Sequence, residues 1–135
     1  MLRLVAAASL VYDLSAGLAL LLLRGTVVSL APALGTLLTP SPVLGDLLGI
    51  FLTCVGLGYV LPYQQPARYR SYLWLFGVAL KTAGAAAFVL DYWRRASPAL
   101  MLLFAASDGA VAALSLAALL SDRGGNTGRA GSRMR

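Results

Sequence analysis

The sequence contains no histidine and no glutamate, and it has a single cysteine, Cys54, among its 135 residues. Histidine is the commonest general base, and histidine, cysteine and glutamate hold most protein-bound zinc and iron. A lone cysteine also excludes an internal disulfide and a CxxC redox pair. The residue types therefore argue against a metal site and against most acid–base chemistry. Cys54 lies inside an apolar run, where it is predicted to be a packing residue.

Charged residues are scarce as well, at 12%, whereas hydrophobic residues make up 59% and the mean hydropathy is +0.80. A soluble domain of average composition has roughly 25% charged residues. The net charge of +6 comes mainly from arginines in short flanks beside apolar runs, a pattern typical of membrane topology and not of nucleic-acid binding. The composition predicts one helical membrane domain with lipid neighbours and no nucleic-acid partner.

Four apolar runs are long enough to cross a bilayer, which takes ~20 helical residues. They predict an all-α fold, an integral membrane four-helix bundle over residues 1–121, with helices at about 4–23, 45–61, 71–91 and 98–120. Pro62 is predicted to end the second helix. Residues 25–44 contain three prolines and are predicted to form a surface helix, a turn or a lid. Residues 122–135 are predicted to be a disordered basic tail.

The positions of the arginines predict an orientation. With four crossings, the N-terminus, the loop before the third helix and the tail share one side of the membrane. Arginine is enriched on the cytoplasmic side. That side carries Arg3, Arg68, Arg70, Arg123, Arg129, Arg133 and Arg135, against Arg24, Arg94 and Arg95 on the other. The sequence thus predicts a multi-pass membrane protein with both termini in the cytoplasm.

Three ionisable residues, Asp13, Lys81 and Asp108, each lie near the middle of an apolar run. A charge at that depth costs roughly 2.5–3.5 kcal/mol unless it finds a partner. Each also lies on a helix face of small or polar residues, so the three are predicted to meet in one intramembrane polar cluster. If all three are ionised, one negative charge is uncompensated. We expect a protonated aspartate, a water-filled pocket or a ligand donor to relieve it.

Glycines recur at helical spacing in the second and third runs. Small residues at three-to-four spacing let lipid-embedded helices approach closely. The sequence therefore predicts helix packing at Gly45, Gly49, Gly56, Gly77 and Gly84.

The cluster has three interpretations. It is a polar clasp that fixes which helices pack together, a pocket for a lipophilic ligand with a polar head, or a proton relay. No catalytic residue is predicted, since no familiar nucleophile–base pair can be assembled. Tyr12 and Tyr59 are predicted to be packing or interfacial residues and not catalytic acids. No cofactor is predicted; the candidates for a bound ligand are a quinone, an isoprenoid or a lipid.

The order of these features resembles the small four-helix bacterial membrane proteins of the DoxX-like type. The resemblance spans about residues 3–120 and depends most on the Leu-Gly-Tyr at residues 57–59, the Gln-Pro-Ala-Arg at residues 65–68, and Gly77 and Lys81. It implies a four-helix bundle, in some members associated with membrane redox or quinone chemistry. The loop before the third helix offers Gln64 and Gln65 but no acid, so this sequence supplies no carboxylate for an ion pair in that loop.

Two functions follow as hypotheses. The first is a non-catalytic accessory or assembly subunit of a larger inner-membrane complex, redox or photosynthetic. The second is a stand-alone lipophile- or quinone-binding protein or a small membrane enzyme that uses the Asp13–Lys81–Asp108 cluster. Proton-coupled transport is a weaker third, since the sequence shows no inverted repeat or broken helix.

Overall fold

A computed structural model describes residues 1–23, 25–26, 29 and 42–131, with side chains up to residue 122. Helix α1 spans Leu2–Leu22. Helix α2 consists of Pro42–Gly58 and, after a turn at Tyr59, Val60–Gln64. Helix α3 spans Arg70–Arg95, and α4 spans Leu100–Gly131. The described residues contain no strand, so the all-α prediction with four long apolar helices is confirmed.

The helix ends differ from the predicted ones in several places. Pro62 does not end α2 but lies inside its last segment, fully buried. A proline lacks only one backbone donor, and α2 absorbs this loss by a turn at Tyr59, whose N–H donates to Gly56 O at 3.1 Å. The backbone of α4 continues to Gly131, past the predicted end at residue 120 and into the segment predicted to be a disordered tail. Most of the predicted 25–44 surface segment, and the tail from residue 132, lie outside the described residues.

Helix α1 packs closely along α2, because glycines replace side chains where the two backbones meet. A Cβ atom added at Gly17 would lie 2.5 Å from Thr53 Oγ1 and 2.6 Å from Thr53 N, and one at Gly56 would lie 2.7 Å from Leu14 N. Such distances leave no room for a methyl group without moving a helix. The other two glycines predicted on this face of α2, Gly45 and Gly49, are buried as well.

Helix α3 is irregular in its first half, where Leu73–Leu80 form a π-helix that ends directly before Lys81. This segment contacts α4, and Gly77 is buried within it. At its start, the Tyr72 hydroxyl donates to Val55 O of α2 at 2.7 Å. Tyr72 is half-buried, and its hydrogen bond joins the start of α3 to α2.

Helix α3 ends at Ala96, which takes a left-handed conformation with φ 51°. Near this end, Ser97 donates a hydrogen bond to the Asp91 carboxylate, and Arg95 forms an ion pair with Asp91 at 3.0 Å. At the opposite end of α3, Arg70 pairs with Asp122 and also donates to Leu119 O of α4 at 2.8 Å. The contacts of Arg70 therefore join α3 to α4, whereas those of Asp91 lie within the end of α3 and the connection that follows it.

Candidate site: an ion cluster at mid-helix

The structure brings the three predicted ionisable residues together. Lys81 Nζ lies 2.5 Å from Asp13 Oδ1 and 3.1 Å from Asp108 Oδ1. The side chain of Asp13 is fully buried and that of Lys81 is 5% exposed, while that of Asp108 retains 14% exposure. The cluster therefore links α1, α3 and α4 at a point where water has little access.

The remaining face of the Lys81 ammonium is covered by an aromatic ring. Lys81 Nζ lies 4.5 Å from the centre of the Tyr12 ring, close enough for a cation–π interaction. The Tyr12 hydroxyl is hydrogen-bonded to Ser107 Oγ at 2.7 Å, and Ser107 donates onward to Phe104 O at 3.0 Å. Tyr12, which was predicted to be a packing or interfacial residue, therefore packs against the ammonium of Lys81 and is fixed there by Ser107.

Local backbone features place each charged group. On α1, Ser9, Asp13 and Gly17 are buried in one stripe, as their spacing predicts. Lys81 follows the π-helix directly, and such segments occur often at functional sites. Gly84, one turn after Lys81, leaves room for Asp108: a Cβ there would lie 3.0 Å from Asp108 Oδ2.

Beside the ion cluster lie four buried oxygen atoms without a hydrogen-bond partner: Ser9 Oγ, Asp13 Oδ2, Tyr59 OH and Ser115 Oγ. Their residues are at most 1% exposed. Buried polar groups in proteins are normally paired, because an unpaired one costs about 1–3 kcal/mol. We name this group of four atoms the hydroxyl chamber.

The members of the chamber come from three helices, and two of them, Ser115 Oγ and Tyr59 OH, lie beside Gly77. A Cβ added at Gly77 would lie 2.9 Å from Ser115 Oγ and 3.6 Å from Tyr59 OH. Tyr59 in turn interacts electrostatically with Asp13 and lies next to Ser9. The absent side chain at Gly77, the turn at Tyr59 and the π-helix of α3 all border this space.

Sequence reasoning found the ion cluster but missed the chamber. Ser9 and Ser115 lie on the predicted polar faces, whereas Tyr59 was predicted to be a packing or interfacial residue. Its burial depends on the turn that precedes Pro62, which apolar periodicity does not indicate. Cys54 was expected to pack inside the bundle and is instead exposed on α2.

The described residues contain no group of three or more cysteine and aspartate side chains that could hold a metal ion. The site itself presents one ammonium, two carboxylates and several hydroxyls. These groups can pair charges, bind a small polar species or hold a proton.

No protein-family profile matches this chain, and no curated protein or solved structure is significantly similar to it.

Proposed function

We propose that this chain is a multi-pass protein of a bacterial inner membrane, with four crossing helices and both termini in the cytoplasm. Support comes from four helices that are long and apolar enough to span a bilayer. Their outer faces carry large apolar side chains, with Leu4, Leu75 and Leu103 each more than half exposed. In water such a surface would aggregate, whereas in lipid it is solvated.

Labelling of Cys54 tests the insertion. Cys54 is exposed on α2, within the apolar segment Val43–Gln64. In intact membrane vesicles we expect a water-soluble maleimide to leave it unmodified and to label it fully after unfolding in detergent. As a control, Cys54→Ser combined with Gln65→Cys moves the thiol to the exposed connection between α2 and α3. That variant should be labelled in inside-out vesicles and spared in right-side-out ones; equal labelling of Cys54 in all states would refute insertion.

Within the membrane, the proposed role is that of a non-catalytic accessory or assembly subunit of a larger complex. The observation that carries this proposal is an unused small-residue face on α4. Gly49 and Gly56 of α2 already pack against α1. By contrast, α4 presents exposed alanines at three-to-four spacing, namely Ala106, Ala110, Ala113 and Ala117. Such a stripe allows another helix to approach closely.

Purification from native membranes in a mild detergent tests this role. We expect the chain to migrate in a large complex, and Ala110→Phe to release it as a small species that is still folded. Ile50→Phe, an enlargement on the exposed face of α2, serves as the matched control and should leave the complex intact. Migration of the unaltered chain as a lone small species would reject the accessory role.

A second candidate, a stand-alone protein that binds a quinone, an isoprenoid or another lipophile, is favoured by a separate observation. An apolar groove of about 280 Å³ runs between α1 and α4, and Ser9 of the hydroxyl chamber contributes to its lining. Leu4 and Ala8 form one wall, and Val111 and Leu114 form the other. Under this function, mass spectrometry of the lone small species would show one lipophile bound stoichiometrically. We also propose that the chain is related to the DoxX-like proteins.

A further inference from the structure

We infer that the hydroxyl chamber binds one small monovalent cation, for which sodium is the natural probe. The site consists of Ser9 Oγ, Asp13 Oδ2, Tyr59 OH and Ser115 Oγ, beside the ion cluster. It is a binding site in addition to the proposed accessory role and does not depend on it.

The charge of the cluster favours a cation. Asp13 and Asp108 face a single ammonium, that of Lys81, so the three groups leave one negative charge without compensation. A bare charge in a dry interior is costly, and one monovalent cation neutralises it. A divalent ion would leave the cluster with a net positive charge, and it would need more carboxylates than the chamber offers.

The Lys81 ammonium is not the partner of the four unpaired oxygens of the chamber. Its ammonium already contacts Asp13 Oδ1, Asp108 Oδ1 and the Tyr12 ring. Asp13 therefore points its second oxygen, Oδ2, away from any partner. This carboxylate oxygen is the negatively charged ligand of the proposed site.

The donor set matches the chemistry of a hard cation. All four unpartnered atoms are oxygens, which are the ligands that alkali and alkaline-earth ions prefer. The Tyr59 hydroxyl links the set, because it lies close enough to Ser9 Oγ and Asp13 to interact with both. Tyr59 OH and Ser115 Oγ in turn both lie beside Gly77, so one small ion at this point can contact several of the oxygens. Residue 77 must be glycine for Ser115 Oγ to keep its position, because a methyl group there would lie 2.9 Å from this oxygen.

The backbone around the chamber also has a form suited to ion binding. α2 is interrupted at Tyr59, and α3 is a π-helix over Leu73–Leu80. Interrupted helices are a recurrent feature of sodium sites in membrane proteins, where they free polar groups to face the ion. Here the interruption of α2 carries Tyr59, and the π-helix carries Gly77 beside Tyr59 OH and Ser115 Oγ.

The test compares thermal unfolding of the purified full-length chain in sodium chloride, potassium chloride and choline chloride at equal ionic strength. A ligand that binds only the folded state raises the midpoint with its concentration. We expect the midpoint of unfolding to rise by a few degrees, and to saturate, in sodium chloride compared with choline chloride. We also expect the protein to broaden the sodium-23 resonance. No selective rise and no broadening would overturn the proposal.

Variants locate the effect. Ser115→Ala and Ser9→Ala each remove one oxygen without adding bulk and should weaken the sodium response at least tenfold; Gly77→Ala should abolish it. Ser121→Ala is the matched control on α4, because its hydroxyl bonds Ala118 O outside the chamber. The comparison of the three salts uses the unaltered chain. It therefore still decides whether sodium binds if one of the variants misfolds.

Two other occupants predict different results. If water alone fills the chamber, the serine variants shift stability equally in all three salts. If a proton supplies the missing charge, stability rises as the pH falls and is indifferent to sodium. Either result would overturn the cation site, and neither bears on whether the chain migrates in a larger complex.

Discussion

Lys81→Met is expected to remove most of the folded protein, with a loss of about 3–5 kcal/mol in the free energy of unfolding. The substitution keeps the length of the side chain but deletes the ammonium that contacts Asp13 Oδ1 at 2.5 Å and Asp108 Oδ1 at 3.1 Å. Two carboxylates then remain in the interior without their cation. A typical domain is stable by only about 5–15 kcal/mol, so the loss should be visible as low accumulation in the membrane.

The measurement is unfolding by sodium dodecyl sulfate in mixed micelles, together with the amount of protein in the membrane. Adding Asp13→Asn and Asp108→Asn to Lys81→Met removes the unpaired charges, so the triple variant should regain much of the lost stability. Asp108→Asn alone should cost little, because it leaves Lys81 and Asp13 as a balanced pair. Unchanged stability and accumulation of Lys81→Met would show that the cluster neither holds the bundle together nor binds anything the fold requires.

This prediction also separates the interpretations of the cluster. A clasp loses folding or assembly when the ammonium is removed, because α1, α3 and α4 are tied through that one atom. A ligand pocket loses its ligand, while the protein still accumulates. A substitution that left the protein folded but abolished the sodium response would favour the binding role.

The sequence predicted the four helices because their signal is local. An apolar run of about 20 residues has few folded alternatives to a helix, whatever its neighbours are. The ends were less predictable, since a helix end depends on contacts outside the run. Pro62 illustrates this: its missing donor is absorbed by the turn at Tyr59, so α2 continues to Gln64.

The meeting of Asp13, Lys81 and Asp108 was predictable for a physical reason. A charge in the middle of an apolar helix has few ways to be satisfied, and three such charges at equal depth can satisfy one another. The helical spacing of small residues then indicates which face each one occupies. The sequence alone therefore suffices to predict that the three side chains meet.

The hydroxyl chamber could not be predicted in this way. Serine and tyrosine are common in apolar helices, and nothing in the run itself marks Ser115 or Tyr59 as unpaired. Their convergence depends on the π-helix over Leu73–Leu80 and on the turn at Tyr59. Both are departures from the regular helix on which periodicity arguments depend.

Glycine at position 17 is expected to be the second critical point of the fold: Gly17→Ala should destabilise the protein by about 2–3 kcal/mol. The added methyl group would lie 2.5 Å from Thr53 Oγ1, 2.6 Å from Thr53 N and 2.8 Å from Gly49 O. Two of these are backbone atoms of α2, which cannot rotate aside. α1 must therefore move away from α2, and contacts along the whole pair weaken.

The same substitution at Gly109 is the matched control, because a Cβ there would have no atom within 4 Å. Alanine favours the helix over glycine by about 1 kcal/mol, so Gly109→Ala should be neutral or stabilising. Helix propensity favours alanine at both positions. A loss of stability in Gly17→Ala together with a gain in Gly109→Ala would therefore show the cost of close packing separately from helix propensity. Detergent unfolding of the two variants side by side gives the comparison. If Gly17→Ala is as stable as Gly109→Ala, then α1 and α2 do not meet through their backbones, and the support that this contact gives to the position of Asp13 is lost with it.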